Sequence, residues 1–408
     1  MILRVLYGSR YLTRKKMDVF DTHYHSYRTV LKIIGLWPYN NSIYVWIQRL
    51  LLFTFFLGNV IFQIVSLLRS KITLRNCTLI LSTTCPLIII SLRYVSFIIF
   101  FPMIKHLFNH IRMEESIVQD SIETEIRAKY VHDFCHMIEI FLRVTCATFI
   151  FYSVLLLYVM ILDFVMPFNE SRIYILDYFT LFSINRTVYF YILCLNFFFV
   201  LIFGLLSVIS TESILGLFSY HAGVLFKIIS YRIQRNITYL TTFNLSSKQI
   251  DTKLAELYRV VDIHNQAIQL INILINNSGK QFLMSTLLTV ISIAVNLHRL
   301  VNAIIAKKDQ LEIIVSFIFF VNQLVFMFFC NRSAQILINN SEEFFHELYI
   351  SVWYFVPLNV QKILLLIMTR SSTTCMFHMF GVFFPCHAGF TTMLSTSFSY
   401  FTLMYSIQ

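Results

Sequence analysis

The sequence predicts an all-α integral membrane protein with seven transmembrane helices, a cytoplasmic N-terminus and an extracellular C-terminus. Three observations carry that prediction. The chain is 57% hydrophobic with a mean hydropathy of +0.70. Only 13% of its residues are charged, where a soluble domain carries about 25%. Apolar runs of bilayer length recur along the 408 residues, and Lys and Arg gather on alternate connections between them. A backbone in hydrocarbon must satisfy its own hydrogen bonds, so each run is expected to be a helix.

Residues 1–42 read as a cytoplasmic N-terminal arm, in which Arg4, Arg10, Arg14, Lys15, Lys16, Arg28 and Lys32 outnumber Asp18 and Asp21. No secretory signal pattern is present, so the first apolar run, from Ile43, is expected to insert as a span. Residues 31–40 (LKIIGLWPYN) predict a short amphipathic approach to the membrane, broken at Pro38. Spans are predicted at about 43–68, 77–104, 134–164, 187–215, 282–305, 311–331 and 377–405.

Orientation follows from the connections. The arm and the connections after spans 2, 4 and 6 carry 21 Lys and Arg, against 7 on the other set. Positive residues stay inside, which places the N-terminus in the cytoplasm. Sequons at Asn169 and Asn185 then fall outside and those at Asn236 and Asn244 inside, so sequons do not decide the matter. The net charge of +11 is explained by topology and calls for no nucleic acid.

Between spans 4 and 5, residues 216–281 read as a cytoplasmic helical extension; 253–275 carries apolar residues three and four apart. A tight hairpin around AKKDQ joins spans 5 and 6, which occupy 282–331. Residues 332–376 read as cytoplasmic anchor helices, with Pro357 opening a short amphipathic piece at 356–370. Packed together, these pieces suggest an intracellular domain where subunits meet.

Polar residues inside spans face protein or water. Glu139 and Arg143, four apart, predict a structural ion pair. Arg93 has no partner legible in the sequence. Asn322 and Gln323 in span 6 suit interhelical hydrogen bonds or, less readily, a ligand. His132 and His136 flank Cys135 at a metal-like spacing, but no further ligand set accompanies them, and no metal or cofactor is expected. The eight Cys are scattered and suit small buried hydrophobes. No nucleophile elbow, zinc-protease motif, P-loop or dinucleotide fingerprint is present, so the chain is not expected to be an enzyme. Large apolar groups crowd the outer halves of spans 2, 3, 4 and 6. Among them Phe149, Tyr152, Tyr158, Tyr189, Phe190 and Phe317 are candidate contacts for a small hydrophobic ligand; the first five lie within a unit at 43–215 holding helices 1–4 and an outer pocket, and Phe317 lies in span 6. The competing reading is that most of these aromatics face lipid or neighbouring helices.

The last stretch, 377–408, carries a hydroxyl stripe: Thr392, Ser395, Ser399, Thr402 and Ser406, spaced three and four apart. On a helix these share one face, roughly opposite Phe390, Leu394, Phe398, Phe401 and Tyr405. Leu403 falls within about 40° of Ser399 on the helical wheel. Such a face suits a narrow aqueous path closed by a hydrophobic ring, and it equally suits close helix packing with hydroxyls returned to the backbone.

Residues 353–375 (WYFVPLNVQKILLLIMTRSSTTC), 390–408 (FTTMLSTSFSYFTLMYSIQ), and the segments around His221 and His264 resemble the insect odorant receptor family over nearly the whole chain, with the flavour of hymenopteran members. The resemblance implies a tuning subunit that binds a small hydrophobic odorant among helices 2, 3, 4 and 6. It implies a heterotetrameric, non-selective cation channel formed with the olfactory co-receptor in the plasma membrane of a sensory dendrite, surrounded by membrane lipids. It also implies that the last helix lines the pore, with Ser395, Ser399, Thr402 and Ser406 on its wall and Leu403 at the gate. The related gustatory receptors end in Thr-Tyr, five apolar residues and Gln-Phe; here Ser399 and Ser406 replace the Thr and Gln. The long insertion of the co-receptor's second cytoplasmic loop is missing, which favours a tuning subunit. A G-protein-coupled receptor is disfavoured by the charge-derived topology and the missing Asp-Arg-Tyr and Asn-Pro-x-x-Tyr motifs, and a transporter by the lack of an inverted repeat.

Overall fold

The computed structural model describes residues 25–69, 73–117, 120–165, 186–242, 246–305, 310–379 and 381–407. Ten α-helices account for nearly all of them: α1 (His25–Ile33), α2 (Ile43–Arg69), α3 (Leu74–Ile99), α4 (Phe101–Ile117), α5 (Ser121–Val165), α6 (Arg186–Thr242), α7 (Ser247–Ile305), α8 (Gln310–Ile350), α9 (Leu358–Ser371) and α10 (His387–Ser406). Among the described residues no strand forms beyond one isolated bridge between Met379 and Phe383. Six helices, α2, α3, α5, α6, α7 and α8, are long and apolar enough to cross a membrane. The arm before residue 25 and the AKKDQ hairpin lie outside the described residues or nearly so.

Several helices far exceed a bilayer. With 45, 57, 59 and 41 residues, α5 to α8 run about 60–90 Å at 1.5 Å per residue, against roughly 30 Å of hydrocarbon. The predicted boundary at residue 215 therefore does not interrupt the helix. The segments on either side of 281 and 331 are likewise continuous with their neighbours. The main packings join α6 to α8, α3 to α7 and α5 to α6.

The largest core lies where these extended halves meet α1, α4 and α9. Phe108, Phe134, Phe226, Leu257, Leu337 and Val360 are all buried in it. Cross-helix ion pairs stitch its rim. Arg232 grips Glu123 with both Nε (2.7 Å) and Nη2 (2.8 Å). Lys227 reaches Glu343 (2.8 Å) and Glu347 (2.5 Å). Asp120 accepts from Tyr231 (2.9 Å), the N–H of Ile122 (3.2 Å) and Arg235 (2.7 Å), and these donors lower its pKa. His221 meets His110 at 3.0 Å between ring nitrogens. Burial, then the neighbouring His110 and Arg127, hold His221 well below the usual histidine range. His264 lies against the rings of Phe226 and Phe344 and is lowered to about 4, chiefly by burial.

Residues 31–40 do not lie on a membrane surface as an amphipathic approach. Leu31, Ile34, Leu36 and Trp37 are buried in the core, and the Tyr27 hydroxyl donates to the carbonyl of Ser210 at 2.9 Å. The helix breaks at Gly35, whose φ of 72° suits a residue without Cβ, and not at Pro38. Arg49 of α2 locks the turn. It is only 2% exposed, donates to the carbonyls of Gly35 (2.7 Å) and Asn40 (3.2 Å), and lies 4.5 Å from the Phe101 ring centroid.

Two further boundaries move. The second predicted span stops at Ile99, and α4 starts afresh at Phe101 with Pro102 as its second residue. Proline lacks a donor and restricts the residue before it, which accounts for the break. The seventh predicted span begins ten residues late, at His387. Residues 376–379 and 381–386 instead lie outside any helix, with Gly381 at φ 69°, a bridge between Met379 and Phe383, and Pro385 just ahead of α10. Glu139 and Arg143 do form their ion pair, at 2.6 Å, and its exposure makes it worth little.

Candidate ligand cavity and last helix

A cavity of about 240 Å³ lies inside the bundle, near the low end of small-molecule pockets, roughly 300–1,000 Å³. Its wall is mostly apolar: Phe62, Leu87, Ile90, Phe197, Val200, Phe282, Phe319 and Phe326 contribute. α3, α5, α6 and α8 supply much of the lining. α2, α7, Met379, Phe383 and Pro385 ahead of α10, and Met393 of α10 complete it.

Pro86 sits inside α3 and lines the cavity. It cannot donate to the carbonyl of Ser82 one turn earlier. Asn296 of α7 donates to that carbonyl at 3.3 Å, while Arg299 donates to the Ser82 hydroxyl at 3.2 Å. A neighbouring helix thus satisfies the freed backbone group, as hydrocarbon requires.

Polar side chains meet at several points of the wall. Asn59 and Asn196 bond each other through their amides, at 2.7 Å and 3.4 Å. The Gln63 carbonyl accepts from Thr84 at 2.7 Å. Thr148 donates to Asn322 Oδ1 at 2.8 Å, and Gln323 Nε2 donates to the Ser292 hydroxyl at 2.7 Å. Arg93 forms an ion pair with Glu212, which also accepts from the Cys330 thiol. Arg93 is 12% exposed and Glu212 2%, so this pair is largely withdrawn from water and ties α3, α6 and α8 together. Two buried polar atoms of lining residues, Gln323 Oε1 and Arg93 Nε, have no hydrogen-bond partner among the described residues.

The six candidate ligand contacts divide. Tyr152 lines the cavity and is 5% exposed. Phe149 is one turn away on α5, outside the lining, and packs on Phe198 with ring centroids 5.7 Å apart. Tyr158 and Phe317 lie on the outer surface, 50% and 53% exposed. In helices apolar all round, sequence period does not tell the lipid face from the inner one. The side chains of Tyr189 and Phe190 lie outside the described residues. Sequence reasoning missed Gln63, Asn196, Glu212 and the α7 residues Thr286, Thr289 and Ser292. The signal was available, because each is a polar group inside an apolar run.

On α10 the hydroxyl stripe faces away from the protein. Thr392, Ser395, Ser399, Thr402 and Ser406 are exposed, with Leu403 beside them at 57%. Gly389, Met393 and Ser397 form the buried side, and Phe390 and Leu394 pack with it. Phe398 and Tyr405, expected opposite the stripe, are themselves about half exposed, at 48% each. Thr392, Ser399, Thr402 and Ser406 return their hydroxyls to backbone carbonyls of their own helix, at 2.8 to 3.0 Å. The start of α10 is held by α8: Asn331 Oδ1 accepts from Cys386 N (3.1 Å) and Gln335 Oε1 from His387 N (3.0 Å). Asn331 also contacts the Met393 sulfur at 3.8 Å. Met393 is therefore shared between cavity wall and last helix.

Residues 73–398 match the profile described as 7tm odorant receptor. No curated protein matches the chain. Among solved structures, the insect olfactory receptor OR5 from Machilis hrabei in complex with eugenol is similar, with a TM-score of 0.75, 12% identity, and coverage of 95% of this chain and 100% of that one. The same receptor described without eugenol gives 0.76 and 12%, covering 96% and 99%. At this identity the two structures bear on fold, and the profile on family. A multi-pass membrane bundle of this architecture, matched by the profile over most of its length, belongs to the odorant receptor family.

Proposed function

We propose that this chain is the tuning subunit of an odorant-gated, non-selective cation channel, formed with the olfactory co-receptor as a heterotetramer in the plasma membrane of a sensory dendrite. The family is one of receptors, not of enzymes. The observation that carries the channel reading is α10, with a continuous hydroxyl face and Leu403 turned away from its own bundle and a buried side that reaches the cavity through Met393. An exposed face of that composition suits an aqueous path shared between subunits.

The mechanism follows from that connection. An odorant that binds better when the pore is open shifts the population toward the open state by its difference in affinity, and by no more. Filling the cavity acts on Met393 and on the Asn331 contacts that hold the start of α10. Displacement of the helix then withdraws Leu403 from the axis and lets the face of Ser395, Ser399, Thr402 and Ser406 fill with water. The Machilis receptor's complex with eugenol supports a small organic molecule as the cavity's occupant. The orientation is the one read from charge, with residues 1–42, 216–281 and 332–376 in the cytoplasm. The exposed apolar residues around α9, including Phe355 (70%), Leu358 (65%) and Leu366 (72%), then serve contacts between subunits.

Cysteine accessibility tests the pore assignment. With the co-receptor present, Ser399→Cys and Leu403→Cys channels should lose most of their odorant-evoked current to a water-soluble thiol reagent, while Ser397→Cys should be spared. Equal protection at all three positions contradicts a pore-lining α10.

A further inference from the structure

The cavity is much longer than it is wide. Along α6 its lining runs from Leu193 through Phe197, Val200, Gly204 and Val208 to Leu215, a stripe whose three- and four-residue steps keep to one helix face. At 1.5 Å per residue that stripe is about 33 Å long, whereas a round cavity of about 240 Å³ would be only about 8 Å across. The other walls agree. Lining residues run from Phe319 to Asn331 on α8 and from Thr83 to Arg93 on α3, about 18 Å and 15 Å at the same rise. A small volume drawn out along the bundle is a slot, and most of its wall is apolar.

Gly204 stands midway between Leu193 and Leu215 and lines the slot without a side chain. Glycine is the poorest helix former after proline, so its place inside α6 asks for a reason of space. A Cβ added to it would meet, beyond the backbone of its own helix, only the end methyl of Ile90 among the described residues, at 3.2 Å. Ile90 lines the same slot from α3. A side chain added at 204 therefore takes its room at the middle of the slot, where α3 and α6 face each other.

We propose that the cavity selects slender, unbranched hydrocarbon chains over compact rings of equal size, and that Gly204 keeps the slot continuous at its midpoint. The proposal rests on the reading of this cavity as the ligand site, and goes beyond it by naming the shape of the occupant. A flexible chain lies along the slot in contact with its walls. A compact ring must push those walls apart, and close-packed interiors resist added bulk.

Octan-1-ol and cyclooctanol have the same number of carbons and the same hydroxyl group, and differ in shape. The test is the concentration in the lipid that half-saturates the thermal shift of the purified full-length protein in nanodiscs. Octan-1-ol should half-saturate about tenfold or more below cyclooctanol, the order expected when bulk is forced into a packed wall. Gly204→Leu should raise the octan-1-ol value about tenfold or more, and leave butan-1-ol, short enough to lie on one side of the midpoint, within about threefold. Gly204→Ala, the milder change and the better helix former, should act in the same direction by a smaller factor, and it carries the test where leucine prevents folding. Equal half-saturation by octan-1-ol and cyclooctanol, or tighter binding of the ring, overturns the proposal. So does an octan-1-ol value that the folded variants leave unchanged, or an equal loss of octan-1-ol and butan-1-ol, which would make Gly204 a helix-packing residue only. If none of the three alcohols gives a saturable shift in folded wild-type protein, the cavity is not the ligand site, and the underlying reading fails together with the proposal.

Discussion

Replacing Leu403 by serine should raise the ligand-free current of the co-expressed channel about tenfold or more, since a Leu side chain buried against its counterparts contributes about 1.5–3 kcal/mol relative to exposure. Leu403 is 57% exposed on the isolated chain, so in the closed assembly its partners must come from other subunits. Serine keeps the helix and removes the hydrophobic contact, and the wetted open state gains relative to the closed one. Ser399→Ala, on the same face but not at the constriction, should leave the resting current near wild type. Recording baseline current normalised to surface protein checks the prediction. An unchanged baseline at equal surface level would remove Leu403 from the gate.

The second large effect lies at the Arg93–Glu212 pair. Glu212→Leu alone should destabilise the protein by about 3–5 kcal/mol, because it leaves a buried guanidinium without its carboxylate. Arg93→Met should cost a comparable amount by stranding Glu212. The double variant Arg93→Met/Glu212→Leu should recover most of the loss, since replacing both partners by apolar groups of similar size is often nearly neutral. Melting temperature and surface expression across the four proteins form a double-mutant cycle. Additive losses would mean that the pair contributes no mutual interaction.

The helices of this fold were legible as apolar runs, because a backbone in hydrocarbon leaves few alternatives. Their inner ends were legible as helical extensions, but not what they pack against. Residues 216–242 read as helical, and α6 continues unbroken to Thr242, with Arg232, Arg235 and Lys227 reaching carboxylates on α5, just before it and on α8. Those acids lie more than a hundred residues away in sequence for Glu123, Asp120 and Glu347 alike, where local periodicity carries no information. Glu212 and Arg93 illustrate the same limit: Arg93 stood out as a costly charge with no partner legible in the sequence, Glu212 was missed, and only tertiary packing pairs them. The turn before α10 was legible in principle. Gly381 and Pro385 are ordinary breakers, but a long apolar context made them look like part of a span.

The candidate site was legible in kind and only partly in residue. An aromatic lining was foreseen, and Tyr152 lines the cavity; Tyr158 and Phe317 turn outward because α5 and α8 are apolar on every side there. The hydroxyl stripe of α10 was read correctly as one face, since three-and-four spacing on a helix fixes it without tertiary knowledge.

The most direct measurement is whole-cell current in cells expressing this chain with and without the olfactory co-receptor, challenged with a panel of small volatiles under G-protein block. The account predicts a rapid cation current that requires both subunits and survives the block. A response that the block abolishes would contradict it, as would a current of equal size and ligand preference from the co-receptor alone.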